Sequence, residues 1–180
     1  MTPSTRAKKV YNITQKFSNP NALAQAGSGI IGMGLNVLVD LLVLPLYSKM
    51  WNDIREVYGH GAITKKAAIA YLKPNINYIV HDLLFDKICG TVPLVGINFN
   101  YIYAKALTWR LGAWFGLLSA LAKANGTDNM PDELLTKCSF DLVRKFFPRE
   151  NIEFFEFKAP DKDEFIEFIA NLETLEKLPG

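Results

Sequence analysis

The chain has 180 residues, 49 % of them apolar and 21 % charged, with a formal net charge of +2. That length predicts one domain with a real core, and the composition excludes a disordered chain and a disulfide-rich miniprotein. The two cysteines, Cys89 and Cys138, make no metal spacing and no disulfide framework, which fits a reducing compartment. Mean hydropathy is +0.08, above an ordinary soluble domain and below a polytopic membrane protein.

The charge is unevenly placed. Residues 1–16 hold Arg6, Lys8, Lys9 and Lys16 and no acid, whereas residues 150–180 hold nine acids and three bases. A basic arm suits an anionic surface or an acidic partner. Nucleic acid is not expected, because no aromatic stacking array accompanies the arm. No short basic start with a brief apolar stretch and a small-residue cleavage site is found, so a cleaved signal is not expected.

In chain order, residues 5–17 predict a short amphipathic helix with Val10, Ile13, Thr14 and Phe17 on one face, and Asn19-Pro20-Asn21 is expected to break it. A long apolar helix is predicted over 22–58, kinked at Pro45, where proline lacks an amide donor. Beyond Pro45 it is amphipathic, with Leu46, Met50, Ile54, Val57 and Tyr58 opposite Lys49, Asp53 and Glu56, and Gly59-His60-Gly61 ends it. Thr64 is placed to cap a third helix. Pro74 divides or kinks it, and a stripe from Ile76 to Ile88 follows. A second apolar helix is predicted over 97–124, stopped by Asn125-Gly126. Pro131 opens a further helix with Leu135, Cys138, Leu142 and Phe146 inward. Ile152 to Phe157 reads as a short extended segment, with no strand-turn-strand pattern around it. Asp161 and Glu164 make a capping-box-like pair before Phe165, Phe168, Ile169, Leu172 and Leu175. The expected fold class is therefore all-α: a compact single-domain bundle of about five to seven helices. Its parts are a basic arm at 1–17, an apolar core at 22–147 and an acidic appendage at 150–180.

Gly27-Ser28-Gly29-Ile30-Ile31-Gly32 matches a dinucleotide-binding fingerprint, but such a site needs a strand before it and an acid about 20 residues on. Residues 21–26 do not read as a strand. Ala24, Ser28 and Gly32, four apart, instead predict a smooth helix face for close helix contact. A membrane span needs about 20 mostly apolar residues. Ala22–Val39 carries Gln25, Ser28, Asn36 and four glycines, and a window shifted toward Leu46 takes in Asp40. Insertion is therefore marginal, and surface association is the alternative.

Asp40 is the only charge between Lys16 and Lys49. A carboxylate in so apolar a helix needs a partner or a proton, and Lys105 and Arg110 on the second apolar helix are the candidates. His81, Asp82, Asp86 and Cys89 match no strong metal motif, and His60 reads as a helix-end residue. Trp51, Trp109 and Trp114, with Tyr101 and Tyr103, read as core and rim or as an interfacial belt. No P-loop, no nucleophile set and no cofactor motif is found, so no catalytic, metal or cofactor residue is assigned.

Three stretches carry a family resemblance. They are Leu44-Pro45-Leu46-Tyr47-Ser48-Lys49-Met50 followed by Val57-Tyr58-Gly59, the alanine-rich helix at 64–73, and Val92-Pro93-Leu94-Val95-Gly96 followed by Ala104, Thr108 and Leu111-Gly112. Together they resemble the YcjF-like, GTPase-associated domain, and the EcsC-like proteins have a similar layout; the match covers about residues 22–145. The resemblance puts Pro45, Met50, Tyr58, Gly59, Pro93, Gly96 and Gly112 at motif positions and implies no catalytic residue. It implies a bacterial, often cyanobacterial, helical protein on the cytoplasmic side of a membrane, with a small GTPase as a separate partner. The expected function is a non-enzymatic membrane-associated adaptor or scaffold that binds a GTPase or itself. The alternatives are a carrier of an apolar ligand (lipid, quinone or pigment) and a small channel or transporter subunit using Asp40.

Overall fold

A computed structural model describes the backbone at residues 1–28, 44–70, 95–128, 152–153 and 156–174, with side chains at 1–19, 45–70, 105–128 and 158–174. Among the described residues the fold is all-α. Five helices are α1 (Pro3–Ser28), α2 (Leu44–Tyr58), α3 (65–70), α4 (Val95–Ala124) and α5 (Lys162–Glu173).

Helix α4 is the axis of the bundle. Every residue from Ala106 to Ala122 is buried, on all faces. A helix that is apolar all round has to be enclosed by other elements, and α1, α2 and α5 all pack against it. The contact with α1 is the closest in character. Gly112 and Gly116 leave a groove in α4 that Thr14 and Val10 of α1 fill, and Ile169 of α5 also reaches Gly116. Thr14 can be fully buried there because its Oγ1 donates to the Val10 carbonyl at 2.9 Å, which satisfies its hydroxyl proton without water. Aromatic rings join the layers. Tyr11 of α1, Trp109 of α4 and Phe165 of α5 meet at centroid distances of 4.9, 5.5 and 5.9 Å, and Trp51 of α2 stacks on Phe115 of α4 at 5.1 Å. Rings in such offset or edge contacts add about 0.5–1.5 kcal/mol per pair beyond area burial. Trp51, Trp109 and Trp114 are thus core residues.

The helix ends follow local chemistry. Thr2 caps α1: its Oγ1 accepts from the Thr5 amide at 3.2 Å, and Pro3 takes the first position, where a missing N–H costs nothing. Helices α2 and α4 end alike. At Gly59 (φ +80°) the His60 amide returns to the Arg55 carbonyl and the Gly59 amide to Glu56. At Gly126 (φ +64°) the Thr127 amide returns to Ala122 and the Gly126 amide to Lys123. Both are left-handed caps that glycine enters without a Cβ penalty. Thr64 caps α3 through the Ala67 amide at 3.2 Å, and Asp161 caps α5 through the amides of Asp163 and Glu164. Phe165, Ile169 and Leu172 of α5 face inward as their spacing predicts.

Three expectations need correction. Asn19-Pro20-Asn21 does not break α1, which runs to Ser28. An interior proline loses its amide bond and crowds the carbonyl four residues back, at about 3 kcal/mol, and the buried face from Ala7 to Ser18, docked on α4, holds the helix frame up to that point. The single kinked helix over 22–58 is not found either. Residues 22–28 continue α1, residues 44–58 form α2, and 29–43 lie outside the described residues. Pro45 is the second described residue of α2. Finally, Ile152–Glu153 pairs antiparallel with Glu156–Phe157, a two-residue ladder where no strand-turn-strand pattern was expected. Phe154-Phe155 between them are not turn-forming residues, so the usual hairpin signal is missing from the sequence.

Candidate functional site

The densest polar network lies at the end of the bundle where α2 and α4 stop. Arg55, buried on α2, donates from Nε to the Gly61 carbonyl at 2.8 Å and from Nη2 to the Asp128 carbonyl at 2.9 Å. His60 lies two residues past α2. Its Nε2 faces the Ser119 carbonyl of α4 at 2.9 Å, and its Nδ1 faces Asp128 Oδ1 at 3.2 Å. The His60 side chain is 5 % exposed and that of Asp128 65 %. The hydrogen bond from His60 holds the Asp128 carboxyl below its usual range, and the Gly61 amide and the charges of His60 and Arg55 add to the effect. The turn after α2 and the turn after α4 are therefore tied by two side chains from the α2 side, Arg55 and His60, and by one, Asp128, from the α4 side.

A second group adjoins it. The His60 ring lies nearly parallel to that of Tyr58, 6.2 Å between centroids. The Arg6 guanidinium of α1 sits 5.9 Å over the other reach of the Tyr58 ring and grips Glu173 of α5 in bidentate fashion, Nε to Oε2 at 3.0 Å and Nη2 to Oε1. The two side chains are 13 % and 7 % exposed, so this is a largely desolvated pair. Burial, and then the nearby Glu173, push the Tyr58 phenol far above its ordinary range, and its hydroxyl is buried with no hydrogen-bond partner. Arg6, Tyr58 and Glu173 thus fasten α1, α2 and α5 at one point.

The arrangement of Asp128, His60 and Ser119 invites comparison with a nucleophile triad, and it is not one. Nε2 is engaged by the Ser119 carbonyl rather than by its hydroxyl, and Ser119 Oγ is itself buried without a partner. While Nε2 donates to a carbonyl, that nitrogen has no lone pair with which to take a proton from the Ser119 hydroxyl. Among the described residues no group of three or more His, Cys, Asp or Glu could hold a metal ion.

The outer face of α1 is the other candidate. Lys8, Lys9 and Lys16 are exposed together with Ser4, Thr5, Asn12, Gln15 and Asn19, and α1 contains no acid. The opposite face, Ala7, Val10, Tyr11, Thr14 and Phe17, is buried. Among the described residues no helix is long and apolar enough to cross a membrane.

The residues singled out in the sequence fall as follows. Met50 and Tyr58 are core residues of α2, Gly59 is its left-handed cap, and Gly112 is the point of closest approach to α1. Gly96 lies in the second residue of α4. Arg110 is buried and Lys105 half-buried on α4, whereas Asp40 lies outside the described residues, as do Gly32, His81, Asp82, Asp86, Cys89, Pro93 and Cys138. Ala24 and Ser28 fall in the last turns of α1. Helical backbone at 21–26 is not the strand that a dinucleotide fingerprint requires. Close helix packing is found at Gly112 and Gly116, a four-residue spacing present in the sequence but set among bulky Trp114 and Phe115. The partnership of His60 with Asp128 carried no local signal, because 68 positions separate them.

Among its described residues the chain is a helical bundle. No family model, no curated protein and no solved structure matches the chain.

Proposed function

We propose that this chain is a non-enzymatic helical adaptor that rests on an anionic membrane surface. The lysine face of α1 supports the reading. Three exposed lysines line one side of a helix whose apolar side is already spent on α4, so attraction to the surface is electrostatic and needs no insertion. Each lysine held near an anionic bilayer contributes about 1 kcal/mol, so three amount to roughly a hundredfold in partitioning. The polar ends of the bundle are left for a protein partner, and the YcjF-like resemblance nominates a small GTPase in that role.

The test is co-sedimentation of the full chain with vesicles of phosphatidylserine in phosphatidylcholine against vesicles of phosphatidylcholine alone. Binding should be confined to the anionic vesicles. It should collapse in the Lys8→Glu, Lys9→Glu, Lys16→Glu variant and in about 1 M salt, where the screening length shrinks from about 10 Å to about 3 Å. Equal binding to both vesicle types, or none to either, overturns the proposal.

A further inference from the structure

His60 sits between two acceptors. The Ser119 carbonyl can only accept, so the contact at 2.9 Å requires a proton on Nε2. The Asp128 carboxylate can only accept while ionised, so the contact at 3.2 Å requires a proton on Nδ1. A neutral imidazole has one N–H. It satisfies one acceptor and turns a lone pair toward the other, and exchange of tautomers only moves the loss from one side to the other. The imidazolium alone fills both contacts. At 5 % exposure the ring has little access to solvent that could make up the missing bond.

Among the described residues, the charged and titratable groups around the ring are few. From the turn after α4 comes Asp128. From α2 come Arg55, whose positive charge opposes the imidazolium but is committed to the carbonyls of Gly61 and Asp128, and the Tyr58 ring. Beyond Tyr58 lie Arg6 of α1 and Glu173 of α5, which neutralise each other. Lys65 and Lys66 of α3 are exposed. Among the described residues, Asp128 is the one group in direct contact whose charge favours the protonated ring.

We propose that His60 is a proton-operated clasp, whose imidazolium ties the turn after α2 both to Ser119 of α4 and to Asp128 in the turn after α4, and whose deprotonation releases one of the two ties. The sense follows from the donors. The clasp is whole on the acid side of the ring's titration and is lost as pH rises through it. Asp128, with its carboxyl held low, stays ionised across the interval in which the ring changes state, so a single proton operates the device. Its output is the rigidity of the 59–64 and 125–128 turns.

The experiment is a pH titration of the uniformly 15N-labelled full chain by NMR, from about pH 5.5 to about pH 8, the interval in which histidine changes charge. Both His60 ring nitrogens should carry protons at the acid end. The Gly61 and Asp128 amides should shift with the same midpoint as the ring. Exchange protection of the Gly61 amide, corrected for intrinsic rates, should fall about fivefold toward the alkaline end, which corresponds to about one net hydrogen bond. His60→Gln should flatten these amide shifts. Asp128→Ala, at an exposed side chain, should move the ring's midpoint to lower pH and keeps the test open if His60→Gln does not fold. Amide shifts that stay flat while the ring titrates, or a midpoint unmoved in Asp128→Ala, overturn the proposal.

Discussion

Replacing Gly112 with alanine should loosen the seam between α1 and α4. A Cβ built at Gly112 overlaps Thr14 Oγ1 and Cγ2 and lies 2.8 Å from Thr14 Cβ. A rotamer change can move the first two atoms, but none moves a Cβ, so the helices must separate. Alanine gains about 1 kcal/mol over glycine in helix propensity, which sets a floor against which the clash acts. Overpacking of a close seam costs about 1–3 kcal/mol, and more where backbone has to shift. The net expectation is a loss of about 2 kcal/mol, a fall of roughly 4–8 °C in Tm for a chain of this size. Urea unfolding of the single variants and of Thr14→Ala/Gly112→Ala measures the coupling. The double variant should lose less than the sum of the singles by at least about 0.5 kcal/mol, because Thr14→Ala removes two of the three overlapping atoms. Gly116→Ala should be milder, since its Cβ meets side-chain ends at 2.9 Å (Val10) and 3.2 Å (Ile169) that can give way. A Gly112→Ala protein as stable as the parent, or strictly additive effects, would refute the close approach.

Two further outcomes follow from the Arg6–Tyr58–Glu173 point. Arg6→Ala leaves Glu173 largely desolvated without its cation and should cost about 3 kcal/mol, while Arg6→Met/Glu173→Leu, which removes both charges, should recover most of it in thermal unfolding. Tyr58→Phe should be neutral or slightly stabilising near neutral pH, because the hydroxyl it removes has no hydrogen-bond partner. Its larger effect is at alkaline pH. A phenol raised by burial above its ordinary value of 10 contributes stability that is whole below that pH and is lost as pH rises further. Tyr58→Phe should therefore flatten the alkaline limb of a stability–pH curve, and an unchanged limb would exclude Tyr58 as its source.

The helical class, the α4 span, the caps at Gly59, Thr64, Gly126 and Asp161, and the inward faces of α1, α2 and α5 were legible in the sequence. Each rests on local periodicity or on a residue whose backbone preference is strong. What was not legible depends on tertiary contact. Pro20 reads as a break because local chemistry disfavours it, yet α1 continues through it. Pro45 reads as a kink in a long helix, but residues 22–28 belong to α1, from which Asn19-Pro20-Asn21 reads as dividing them. Gly112 and Gly116 are ordinary glycines until Thr14 and Val10 are placed against them. The polar network at His60 joins residues 6, 55, 58, 60, 119, 128 and 173, and no local pattern links positions so far apart.

The central position of α4 has a cost during synthesis. The apolar side of α1 emerges before α4, and the residues that cover it, Gly112 and Gly116 among them, lie about a hundred positions later. At roughly 5–20 residues per second a ribosome takes about 5–20 s to supply them. For that interval Val10, Tyr11 and Phe17 have no native neighbour in α4, and Arg6 waits longer still for Glu173. The nascent chain thus carries the α1 face uncovered for that interval, and that face is where a holding chaperone would bind.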